Sequence, residues 1–357
     1  MPEMTRHEVG EQRMTEALDD IAGRARRRWH GMRYGDPSPR QLQQLGDELV
    51  DHVAARTVRA PALDETSRVA LETAAHCALG ALSIGCFPNG DQEVVLPLVG
   101  ERLSSEDIAF GDVVDHAPTA RTWLDAFELC LVSGLVWDWQ RVIGLLLRGD
   151  YAPAIRDGVP YSELTSASDP ADLAAMDALC GYLTEAQGHL PRDWPTVPLC
   201  KPDADERADA ARNLDAAGSP TPDQRLLRVL LDDDQAAFEQ ALTARLDEHR
   251  RNVGPDPAPG SLLPLGTLAL AALAVQAHGW ELGVRSGYLP DDLLGFSPGP
   301  AAGGGHRRQR PGLLGRQVAA GRGPRPTGGD PQALRRPRAP ATAVQPQRKG
   351  TSPPAPG

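Results

Sequence analysis

The strongest apolar pattern in the chain lies at Leu262–Val275, inside a stretch from Asp256 to Glu281 with no intervening charge. Leu268, Ala269, Leu270, Ala271, Ala272, Leu273 and Ala274 follow one another, all good helix formers. A helix that is apolar on every side is a buried one. Ser261 is placed to cap its start, and His278-Gly279 to stop it, because glycine accepts the left-handed turn that ends helices. The run is 14 residues long and includes Pro264, Gly266 and Thr267. A membrane span needs about 20, so the pattern predicts a core helix.

The rest of the chain up to residue 296 shows the same helical spacing. Ala17, Ile21 and Ala25 mark a first helix from Glu11 to His30, with Arg24–Arg28 at its C-terminal end, where the helix dipole favours cations. Residues 1–10 ahead of it are expected to form a flexible leader. Ser38-Pro39 is a cap followed by proline at the first helical position, and Leu42, Leu45, Leu49, Val50 and Val53 follow at intervals of three and four. Asp64 opens a helix to about Ile84 whose small residues (Ala74, Ala75, Ala78, Gly80, Ala81) suit close packing. Val94-Val95-Leu96 reads either as a short strand or as part of a loop with short helices. Pro118-Thr119 starts a helix to Ser133. A second, Val136–Leu147, is stopped by Arg148-Gly149, and the two should form a helical hairpin. Asp169-Pro170 opens a helix to Ala186. Four prolines within residues 189–203 make an extended connector. Three more helices are predicted over 203–217, 221–231 and 234–251. The sum is about nine to ten helices and no convincing strand. This is an all-α fold, a single irregular helical bundle or array over residues 11–296, with no fixed repeat period.

Composition changes the picture beyond residue 297. Of the last 61 residues 24 are Gly or Pro, and large apolar side chains nearly vanish. Such a segment cannot bury a core and is expected to be a disordered tail. It reads either as a basic arm or as a frameshifted or run-on product of a GC-rich gene. Eleven Lys+Arg and a single acid fall in it, so it carries +10 while residues 1–296 carry −21. An acidic body repels nucleic acid and anionic membrane and is drawn to basic partners, although acidity also serves plain solubility. Five cysteines at 77, 86, 130, 180 and 200 form no CxxC pair, and no signal peptide is read ahead of the body. That pattern points to free, mostly buried thiols in a reducing cytoplasm.

Catalytic and cofactor motifs are missing. There is no GxGxxG after a strand, no GxxxxGK[ST] and no HExxH, and no two histidines sit three or four apart on one helix. No cofactor and no metal site is therefore expected. Asp51-His52 and Asp115-His116 read as surface or capping pairs. His76 and His278, in apolar surroundings, read as hydrogen-bonded core histidines. An enzyme would need a pocket assembled from scattered residues such as His76, Asp125, Glu128 and Asp138. Two surface candidates for partner binding remain. Trp137, Asp138 and Trp139 put two indoles around an acid, and residues two apart on a helix point about 200° apart, so one ring is expected to be exposed. Asp232, Asp233 and Asp234 lie between two helices, either as charge favourable to a helix start or as a partner contact.

Three packing motifs carry a resemblance: LETAAHCALGALSIGC at 71–86, WLDAFELCLVSGLVWDWQRVIGLLL at 123–147 and SLLPLGTLALAALAVQAHGWELGVRSGYLP at 261–290. With them the acidic body resembles the Immunity protein 49 family of bacterial polymorphic toxin systems, in its actinomycete form. The tail after residue 297 has no part in it. The resemblance implies a cytoplasmic protein, neither enzyme nor cofactor carrier, that binds and blocks a cognate protein toxin, one expected to present a basic surface. It assigns no interface residue and no oligomeric state. The competing expectation is a helical scaffold or regulatory protein that binds peptides or other proteins.

Overall fold

The computed structural model describes residues 4–295 apart from 36–37, 61, 113, 139–141, 161 and 189. Trp139 and the tail from 297 lie outside the described residues. The helices are α1 (Glu11–Leu18), α2 (Ile21–Tyr34), α3 (Pro39–Arg59), α4 (Glu65–Cys86) and α5 (Ala120–Val132), followed by α6 (Ile143–Leu145) and α7 (Ala152–Asp157). Then come α8 (Pro170–Cys180), α9 (Ala204–Ala216), α10 (Pro222–Leu231), α11 (Gln235–Asn252), α12 (Leu265–Gln276) and α13 (Asp291–Leu294). The fold is all-α apart from one antiparallel hairpin of β1 (Glu93–Leu96) and β2 (Glu101–Ser104). Val94-Val95-Leu96 is thus a strand.

Most helices start where a side chain can take up the free N–H groups of the first turn. Ser38, Asp64, Thr119, Asp169, Asp203, Thr221 and Asp234 each accept such a bond. The helices outnumber the nine to ten expected because patterns that look continuous are broken. The stretch predicted as one helix, Glu11–His30, is cut at Asp19-Asp20. Asp20 turns left-handed (φ 30°) and caps α2 through Gly23 N–H. The expected helical hairpin is also corrected. Leu135–Trp137 is a single 3₁₀ turn after Gly134 (φ 78°), and Gly149 does not stop the next helix. That helix runs from Ile143 to Asp157 through a π-turn at Leu146–Tyr151 and ends only at Gly158 (φ 101°). A glycine inside a helix costs about 1 kcal/mol against alanine, which good packing offsets.

The centre of the body is α4, along which α3 and α5 pack. Sixteen of its residues are buried, from Ser67 to Cys86. By length and composition α4 and the Pro259–Gln276 stretch could cross a membrane, but 78% and 61% of their apolar windows are buried inside the protein. Leu268–Ala274 of α12 is wholly buried, as its sequence predicts. Its start differs. Ser261 sits one turn earlier, in a 3₁₀ turn, and its hydroxyl donates to Ala258 O (2.5 Å) instead of capping α12. Residues 4–10 are not a loose leader. Met4 N–H donates to Arg285 O (3.1 Å) and Gly287 N–H to Met4 O (3.0 Å). His7 bridges the Tyr288 hydroxyl (2.7 Å) and Ser261 Oγ (2.9 Å). The polar spacing of these residues hides them from pattern reading, because backbone pairing, the bonds of His7 and the side chains of Met4 and Val9 hold them against the core.

Candidate functional site

Of the surface candidates read from sequence, Trp137 and Asp233 are engaged with other elements of the fold, while Asp232 and Asp234 are exposed. Trp137 is half-buried, and its indole N–H donates to Gln276 Oε1 on α12 at 2.7 Å. Asp138 follows in extended conformation, half-exposed. The acid triplet divides three ways. Asp232 pairs with Arg228 (2.5 Å) one turn back, and Asp234 caps α11 through Ala237 N–H (3.1 Å). Asp233, left-handed at φ 58°, gathers Lys201 (2.9 Å), Arg207 (3.1 Å) and His278 Nδ1 (2.8 Å). Burial opposes the charge on Asp233, but the bonds from Lys201 and His278 and the field of Arg207 hold its pKa below the usual range. The far nitrogen of His278 meets the Tyr182 hydroxyl at 2.9 Å, so the histidine is a hydrogen-bonded core residue.

A different set of acids meets in a cleft of about 670 Å³. Helix α3 contributes Asp47 and Asp51, four apart and so on one face. Ala74, Ala78 and Ala81 of α4 form the apolar floor, while Asp125 and Glu128 come from α5. Ala258, Gly260 and Ser261 close the rim, fixed by the bond from Gly260 N–H to Asp51 Oδ1 (2.6 Å). Arg121, which does not line the cleft, serves two of its carboxylates: it reaches Asp125 (2.7 Å) and Glu128 (2.8 Å). Those two acids keep Arg121 charged despite its burial. That group of three is left with one negative charge, to which Asp47 and Asp51 add theirs. Burial first, and then Asp125 and Asp223, push the Glu128 carboxyl up to about 7 against the pull of Arg121. Asp47 is raised by burial and by Asp51 and Asp125, and Asp51 chiefly by burial.

These shifts fix a sign. An unfolded glutamate titrates near 4.5, so ionised Glu128 is penalised only in the folded chain. Its penalty is full above pH 7 and is relieved as pH falls from 7 toward 4.5. Glu128→Gln should therefore gain on wild type by about 2 kcal/mol between pH 5 and pH 8, read from urea unfolding at both values. Parallel pH profiles for the two proteins would contradict this.

The opposite face of α4 borders a second cavity, of about 690 Å³, lined by His76, Gly80 and Ser83 together with β1, Asp150 and Tyr151. His76 is thus on the other side of α4 from Asp125 and Glu128, which meet in the first cleft. Among the described residues no group of three or more His, Cys, Asp or Glu could hold a metal ion. Cys77, Cys86, Cys130 and Cys180 are free and buried, Cys200 free and exposed. Burial pushes the Cys86 thiol up to about 12. Sequence reasoning missed the cleft, although a signal was present. Asp47/Asp51 and Asp125/Glu128 are acid pairs at helical spacing on two predicted helices.

The helical body thus has clefts between its elements, one of them lined by four acids. The family model described as Immunity protein 49 matches residues 58–293, more than half of the chain, and the chain belongs to that family. No curated protein and no solved structure matches it.

Proposed function

We propose that the chain is a non-catalytic immunity protein that acts in the cytoplasm, where it binds and neutralises one cognate toxin with a basic surface. Membership of the Immunity protein 49 family carries the reading, and the uncompensated acids of the cleft say how the partner is drawn in. Complementary charge acts mainly on encounter, raising association rates ten- to a thousand-fold at low salt, by rough scale. The free thiols fit a reducing compartment.

The test is calorimetric titration of the full chain with the toxin domain encoded beside it, at low and at moderate salt. Nanomolar binding that weakens with salt is expected. The double variant Asp47→Lys with Asp125→Lys should slow association about tenfold with little change in dissociation. No binding at all would overturn the reading. Tight binding without salt dependence would keep the inhibitor and remove the electrostatic account.

A further inference from the structure

We propose that β1 is an open docking edge, which receives an extended, basic segment of the toxin as a third strand. The proposal rests on the toxin-binding reading above.

The register of the hairpin decides which main-chain groups are free. In an antiparallel pair, residues alternate between those bonded to the partner strand and those whose N–H and C=O point away from it. Ser105 N–H donates to Gln92 O (3.0 Å), so Gln92 faces inward, and with it Val94 and Leu96. Glu93 and Val95 therefore turn their N–H and C=O to the outer edge. The other strand gives the same parity. Arg102, the partner of Val95, turns its carbonyl away from β1, where it accepts the Trp29 indole N–H (3.1 Å). The two edges are thus unequal. That of β2 is covered by α2 through Trp29. Among the described residues, no bond from outside the hairpin reaches the main chain of Glu93 or Val95.

That open edge lies along the 690 Å³ cavity, a trough with α4 as its floor and the π-turn as its far wall. Gly80 lets β1 settle onto α4, since a Cβ there would stand 2.6 Å from a Val94 methyl. The edge is consequently recessed, and flat sheet-to-sheet aggregation is discouraged while a single narrow strand can enter. Main-chain bonds along such an edge supply affinity, and the flanking side chains supply selection. Here they select for cations. Asp91, Glu93 and Asp150 border the trough; Glu93 is paired with Arg102 (3.0 Å), and among the described residues no lysine or arginine lines it. Asp150 reaches it because of the π-turn, for one residue fewer would carry it about 100° around the helix.

The experiment uses the full chain and the toxin domain encoded beside it. Val95→Pro removes an outward N–H and leaves the hairpin's own ladder intact. It should weaken toxin binding at least tenfold while the melting temperature stays within a few degrees of wild type. Asp150→Lys should weaken binding by a similar factor. Hydrogen exchange on the wild-type complex gives a readout that needs no variant: the Glu93 and Val95 amides should slow at least tenfold when toxin binds. Unchanged exchange at these amides in a formed complex would overturn the docking edge and leave the immunity reading standing. Absence of any complex with wild type would overturn both. Protection that appears with rising protein concentration and no toxin would instead show pairing with a second copy, and would also overturn the proposal.

Discussion

Replacing Trp123 by alanine should destabilise the body by about 4 kcal/mol, the scale for deleting a buried tryptophan. The side chain has no exposed surface. Its ring stacks on Phe127 with centroids 5.3 Å apart and planes 9° from parallel. The indole N–H donates to Leu147 O at 2.9 Å, inside the π-turn. A π-turn spaces its bonds five residues apart, and Leu147 O already accepts from Ala152 N–H. Trp123 thus does two things: it fills the space between α5 and the π-turn, and it ties down that turn's backbone. Trp123→Phe separates them. It keeps most of the volume and the stack, loses the bond, and should cost about 1–2 kcal/mol. Urea unfolding of the two variants measures the split. Equal losses would mean that the bond, and not the packing, carries the effect.

Asp233→Ala should cost about 3 kcal/mol, nearly as much, at a residue that a surface reading would treat as dispensable. Three partners lose their acceptor together. Arg207, 13% exposed, is left without its carboxylate, and His278, with no exposed side-chain surface, without its Nδ1 partner. Stranding one member of a buried charged pair costs about 3–5 kcal/mol, and here the partial exposure of Asp233 reduces that figure. Alanine also sits poorly at φ 58°, at about 1 kcal/mol. Asp233→Asn keeps the left-handed backbone and an acceptor for His278, so it should recover more than half of the loss. Thermal unfolding of both variants decides it. An alanine variant that melts with wild type would show that the network is dispensable.

Where the sequence was readable, and where it was not, follows from the range of the forces involved. Helix starts were legible because a cap is local: Ser38, Asp64, Thr119, Asp169, Thr221 and Asp234 each lie within three residues of the group they bond. The buried run of α12 was legible because apolarity on all sides has one soluble solution. The π-turn and the docked residues 4–10 were not, since each bonds partners far along the chain, as Leu147 does Trp123 and Met4 does Arg285 and Gly287; the break at Asp20 was missed although its cap on Gly23 N–H is local. The acid triplet at 232–234 draws the eye because its charges adjoin in sequence, yet Asp233 bonds inward to His278 while Asp232 and Asp234 serve local surface contacts. The cleft was overlooked because Asp47 and Glu128 become neighbours only once α3 and α5 are laid against α4.

Arg121 is shared between Asp125 and Glu128 at the edge of that cleft. With a carboxyl pushed up to about 7, Glu128 holds a proton part of the time near neutral pH. A cation entering the cleft favours the ionised form, so its entry drives the proton off. Cation uptake and proton release are thus linked at one carboxyl, and the cleft holds a cation more tightly as pH rises through 7 and more loosely as it falls toward 4.5.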